Sequence, residues 1–232
     1  MLTRSAPPVL APQLALAAVY DQVTDAVSAL DDGQLRAPTR CPGWSAAELL
    51  LHLLLDAQRA LVTLASPTEA PATASFASYW QDHRSDADPD GAAAHAEWVR
   101  RSAAAYRDPR GIVRHWCDTA PAAGRAAGAA PLEGRVATQG HVLAVPDFLT
   151  TLVVEASVHY LDLAVAVPDP APLAAEAEAL THATLTALLQ GVATPASWDD
   201  EQFILKCTGR LPLSDGDRAA LATAADRFPV LG

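Results

Sequence analysis

The sequence predicts a mainly α protein, in which four long helices form an antiparallel bundle and a small C-terminal α or α+β domain follows. Three observations predict it. Apolar residues recur at three- and four-residue spacing over four long stretches, and the connections between those stretches are rich in Pro, Gly and Asp. The run Pro168-Asp-Pro-Ala-Pro172 then interrupts the chain after the fourth stretch. The expected division is a bundle over 8–167 and a small domain over 173–232. With 232 residues, half of them hydrophobic, the chain is long enough to bury a sizeable core.

The first helix is expected from Pro12 to Leu30, with Leu16, Val19, Tyr20, Val23, Val27 and Leu30 on one face and Asp31-Asp-Gly33 ending it. The second begins at Ser45, which has Glu48 at capping-box spacing, and reaches about Leu64; the Pro42-Gly43 turn directs the chain into it. Prolines make 66–71 a loop. A third helix, about Asp90 to Ala105, is amphipathic around Ala94, Trp98 and Val99 with Arg100 and Arg101 outward. Trp44 and Trp98 read as core or staple residues and not as ligand platforms. Residues 120–146 are rich in Ala, Gly and Pro and read as non-helical, with a short hairpin or ordered loop at Gly134-Arg-Val-Ala-Thr138 and His141-Val-Leu-Ala-Val145. The fourth long helix, capped by Asp147, runs to about Val167. Beyond the linker come a helix near 174–189, a segment from Trp198 to Leu211 and a last helix from Ser214 to about Phe228, with an acidic start that suits the helix dipole.

The formal net charge of −11 argues against nucleic acid, since phosphate binding needs a clustered basic surface, and disfavours acidic membranes for the same reason. Lys206 is the sole lysine. The first residues lack the apolar core of a signal peptide, so a cytoplasmic protein is expected. Cys41, Cys117 and Cys207 are far apart with no C-x-x-C spacing, which indicates reduced thiols and neither a disulfide framework nor a thiolate zinc site.

The chemistry concentrates in the apolar run 148–164, where Glu155 and His159 lie one helical turn apart on one face. An ionised carboxylate in such surroundings requires a partner. The pair reads either as a buried hydrogen-bonded couple or as two ligands of a divalent metal. His52, about two turns into the second helix, is either a core histidine or a third ligand. Two His and one Glu leave coordination positions open, as in a catalytic zinc site. The H-E-x-x-H pattern of thermolysin-like peptidases is absent. Asp162 reads as a solvated residue or as a partner for the second nitrogen of His159. Asp56 and Glu48 are expected to be exposed, and His83, His95, His115, His141 and His182 to be surface or loop residues. Arg210, in Thr208-Gly-Arg-Leu-Pro212, is either a surface residue beside a turn or a clamp for a substrate carboxylate.

Taken together, Thr39-Arg-Cys-Pro-Gly-Trp-Ser45, the helix bearing His52, Asp147-Phe-Leu-Thr-Thr151, Val154-Glu-Ala-Ser-Val-His159-Tyr-Leu-Asp-Leu163 and the tail from Thr208 to Leu231 resemble the mycothiol-dependent maleylpyruvate isomerase family, within the DinB/YfiT-like superfamily. The resemblance implies a DinB-like four-helix bundle with a divalent metal, usually zinc, on His52, Glu155 and His159. It also implies a smaller C-terminal domain whose arginine, here Arg210, assists substrate binding. Tyr160 departs from the family, which often has glycine there, and the C-terminal portion is shorter than in the isomerase.

The expected function is that of a mycothiol-dependent S-transferase or isomerase: a bound divalent metal, zinc by donor set, activates the thiol cosubstrate for attack on a small electrophile. The rival readings are a metal-dependent hydrolase of the same fold and a non-catalytic metal- or small-molecule-binding protein. The expected state is a monomer or homodimer.

Overall fold

The computed structural model describes residues 11–81 and 89–231, so the domain start expected at residue 8 and the reading of His83 fall outside the described residues. The described chain is mainly α-helical. Helix α1, Pro12–Ala29, carries Pro in its first turn and buries Leu16, Val19, Tyr20, Val23 and Val27 along one face. Asp31 starts a further element as well as ending this one. Its carboxylate accepts from Gln34 N and caps the single-turn helix α2, Asp32–Leu35. Before α3, Ala46–Leu64, Trp44 N donates to Cys41 O at 3.1 Å across a turn in which Gly43 takes φ +79°. The expected Ser45–Glu48 capping box then opens α3.

Helix α4 is Pro89–Ala104 and α5 is Pro109–Ala129. The second of these corrects the non-helical reading of 120–146. Its buried positions, Ile112, Trp116, Ala120, Ala123 and Ala127, keep a helical period, but three are alanines, whose weak hydrophobic signal hides the pattern. Pro121 is tolerated inside α5 because it lies on the exposed side. The hairpin is as expected: β1, Arg135–Thr138, pairs antiparallel with β2, His141–Ala144. Its two turn residues, Gln139 and Gly140, both have positive φ (+47° and +81°), as a twisted two-residue hairpin demands.

Helix α6, Val145–Leu163, starts two residues before Asp147, because Ala144 is extended and Pro146 fits the first turn; Asp147 belongs to that turn and is not the cap. A 3-10 turn, Ala164–Ala166, prolongs it. This stretch is long and apolar enough to cross a membrane, yet 83% of its most apolar window is buried within the protein, the mark of a core helix. Helices α1 and α3 each lie against both α5 and α6, while α4 packs on α3. The third long helix of the central packing is therefore α5, not the expected 90–105 segment. Accordingly Trp98 of α4 is 50% exposed and not in the core, whereas Trp44 is buried as expected.

Beyond the linker, helices α7, Ala175–Leu189, α8, Asp200–Cys207, and α9, Asp215–Leu221, follow, with no strand among the described residues there. The last helix is shorter than expected: past Ala222, at φ +49°, it gives way to a 3-10 tail, Ala222–Arg227. Helix α7 lies on α1 and α6. The linker is pinned to them as well, since Gln22 Oε1 accepts from Ala174 N at 2.9 Å and Tyr160 OH donates to Ala171 O at 2.6 Å. Tyr160 thus has a structural use in this chain. Lys206 is buried, with its ammonium 2.7 Å from Asp217 Oδ2 and over the Trp198 ring.

Candidate metal centre

Two helices distant in sequence bring the three expected ligands together. His52 projects from α3 and Glu155 and His159 from α6, and Glu155 Oε1 lies 2.8 Å from His52 Nε2 and 3.4 Å from His159 Nε2. One ligand atom from each falls within 4.8 Å of the others. The two imidazole centroids are 4.8 Å apart and nearly perpendicular. Such a set, two ring nitrogens and one carboxylate oxygen this close together, is a donor set that suits a divalent cation of the zinc type and would leave coordination positions open.

The electrostatics of the metal-free protein lead to the same point. Burial opposes ionisation of Glu155, but hydrogen bonds from His159 and His52 outweigh it and hold the carboxyl well below its usual range. Burial likewise opposes charging of His159, yet its bonds with Asp162, Cys41 and Glu155 push it well above an ordinary histidine. A proton on His159 therefore supplies the positive charge that a cation would otherwise bring.

The outer nitrogens of both histidines are held. His159 Nδ1 donates to Asp162 Oδ2 at 3.0 Å, which leaves Nε2 free to act as the candidate ligand atom. Asp162 is fully buried, which corrects the solvated reading. It also accepts from Cys41 Sγ at 3.1 Å and from Arg210 Nε at 3.3 Å. Arg210, 48 residues away in sequence, thus reaches the centre through Asp162. Its Nη1 donates to Thr208 O at 2.8 Å. Arg40 secures the same end of α6, with its N on Asp162 O at 3.1 Å and its Nη1 on Leu161 O.

His95 is exposed, as expected, and its Nε2 lies 3.4 Å from His52 Nδ1. Trp44 and Trp98 flank His95, with ring centroids at 6.4 and 5.8 Å. Asp56 and Glu48, expected to be exposed, are half-buried: the first pairs with Arg59 at 3.2 Å and the second closes the capping box of α3. His115 is half-buried between Tyr106 OH, 2.8 Å, and Gln58, and His182 stacks on Phe203 outside the centre. Sequence reading missed Cys41 and His95. Nothing in their spacing announces them, since Cys41 is 118 residues from His159 and only packing brings them together. The free thiols otherwise agree with expectation, and burial pushes Cys207 up to about 12, far from a reactive thiolate.

A mainly helical protein with a half-buried two-histidine, one-carboxylate cluster is the class that fold and site define. The sequence profile of the mycothiol maleylpyruvate isomerase N-terminal domain matches residues 16–164, which include His52, Glu155 and His159. The chain belongs to that family. No curated protein matches the chain, and no solved structure does.

Proposed function

We propose that this chain is a mycothiol-dependent S-transferase or isomerase, in which a divalent cation, zinc by its donor set, sits on His52, Glu155 and His159. The observation that carries the proposal is the convergence of those side chains from α3 and α6 in a chain of this family. When bound, the cation supplies Lewis acidity, which lowers the pKa of a thiol presented to it.

The chain's own residues do the rest. Glu155 neutralises charge at the centre, Asp162 keeps the proton of His159 on Nδ1, and His95 backs the outer nitrogen of His52. Arg210 holds Asp162 through Nε, and its Nη2, which has no partner among the described residues, is the edge that faces a substrate carboxylate. In this reading α1, α3, α5 and α6 form the DinB-like bundle, and the chain divides at the Pro168–Pro172 linker. The ligands are a low-molecular-weight thiol and a small electrophile, and the setting is the cytoplasm.

The test is turnover of an electrophile panel with mycothiol, run with zinc-loaded, chelator-treated and His52→Ala protein. Adduct or isomer that needs both zinc and thiol is the expected result. Thiol-independent turnover makes the protein a hydrolase, and metal binding without any turnover makes it a binding protein; either overturns the proposal.

A further inference from the structure

A cavity of about 230 Å³ lies where the end of α6, the proline-rich linker and α8 meet, on a different set of side chains from the candidate metal ligands. Leu161, Val165, Pro170, Pro172 and Leu173 make its apolar wall, and Tyr160 joins α6 to the linker beside it. This wall is fixed before any ligand arrives. Proline locks the linker backbone near one φ, Tyr160 OH donates to Ala171 O at 2.6 Å, and Gln22 Nε2 donates to Pro172 O at 2.5 Å. Val165 is 52% exposed, so the cavity opens to solvent past an apolar edge.

Two charged residues line the same cavity, Arg40 and Glu201. Arg40 is half-buried. Its Nη1 donates to Leu161 O, which ties the guanidinium to the end of α6, and its other guanidinium N–H groups have no partner among the described residues. No carboxylate of the described residues pairs with it, although acidic side chains outnumber basic ones 27 to 16. A guanidinium drawn partly out of water without a counter-ion is costly, so this one is set for an anion that the protein does not supply. Glu201, exposed in the first turn of α8, lines the cavity without pairing with Arg40. Burial pushes the Tyr160 phenol up, and the nearby Glu201 charge adds to that, which sets the carboxylate on the cavity side of α8. A cation and a carboxylate that share one cavity and do not meet fit the two ends of a zwitterion. The volume equals about eight waters at roughly 30 Å³ each and so admits a molecule of about eight to ten non-hydrogen atoms.

We propose that this cavity is a binding site for a small α-amino acid with an apolar side chain, its carboxylate on Arg40, its ammonium on Glu201 and its side chain against Val165, Pro170 and Pro172. The site is separate from the metal centre, and its occupancy requires neither the cation nor the thiol. Arg40 connects the two places, because its backbone N donates to Asp162 O at 3.1 Å.

The probe is L-leucine, compared with 4-methylpentanoate, which lacks its ammonium, and 3-methylbutylamine, which lacks its carboxylate. Each is titrated into the full chain carrying ¹³C-labelled valine methyl groups, once treated with chelator and once loaded with zinc, and the Val165 methyl resonances report occupancy. L-leucine is expected to shift them equally in both forms. Binding of 4-methylpentanoate should be about fivefold weaker, since Glu201 is exposed, and that of 3-methylbutylamine about tenfold weaker or more, since Arg40 is half-buried. Glu201→Gln should bring L-leucine down to the affinity of 4-methylpentanoate. Should that variant fail to fold, the three ligands on the wild-type chain decide alone. Val165 unmoved by L-leucine, moved only in the zinc-loaded form, or moved as readily by 4-methylpentanoate overturns the site and leaves the proposed function standing.

Discussion

Replacing Asp162 with Asn tests whether the outer partner of His159 sets metal affinity. The side chain keeps its size but loses its charge. In the native protein Oδ2 accepts from His159 Nδ1 at 3.0 Å, Cys41 Sγ at 3.1 Å and Arg210 Nε at 3.3 Å, while Oδ1 lies 3.4 Å from the same Arg210 nitrogen. If the new amide keeps its oxygen toward His159, its NH₂ replaces Oδ1 and meets Arg210 Nε donor to donor. If it flips, the NH₂ faces the Nδ1 proton and drives His159 toward the wrong tautomer. Either way the histidine loses the carboxylate that raises its basicity. Loss of such an outer partner typically costs 10- to 100-fold in metal affinity, about 1.4–2.7 kcal/mol. Competition between the protein and a fluorescent zinc chelator at fixed pH measures it directly, with circular dichroism confirming that the variant is folded. A folded Asp162→Asn protein whose zinc affinity stays within twofold of wild type would refute the assigned role.

Three further outcomes are expected. In the chelator-treated protein, His159 is raised above its unfolded value near 6.5 and Glu155 is depressed below about 4.5. The His159 contribution to stability is therefore full below pH 6.5 and disappears as pH rises through its folded pKa. The Glu155 contribution is present above pH 4.5 and disappears as pH falls through its own. Urea unfolding of metal-free protein across pH tests both signs, and zinc affinity should climb with pH through the His159 titration as the metal displaces the proton. Lys206→Met removes the ammonium that holds the buried Asp217 carboxyl far below the usual range and leaves it only the neutral donors Trp198 and Ser214; a loss of about 3 kcal/mol in chemical denaturation is expected. Ala123→Leu forces a larger side chain into the fully buried face of α5 and should cost about 1–3 kcal/mol by the same assay, whereas a surface position would tolerate it.

The sequence by itself determined the helical class, the capping box at Ser45, the hairpin and three candidate ligands, His52, Glu155 and His159, that the fold brings together. These are local properties: residue spacing sets which groups share a helix face, and a carboxylate and an imidazole among leucines and valines stand out without any knowledge of packing. The helix from Pro109 to Ala129 stayed hidden because alanine signals burial weakly, and with it the choice of which four helices pack together. Only the tertiary structure decided that Asp162 is buried, that Cys41 and Arg210 converge on it, and that His95 stands behind His52. Those contacts join residues 43 to 121 positions apart, and their distances follow from how helices cross and where turns set the chain, which no local pattern encodes.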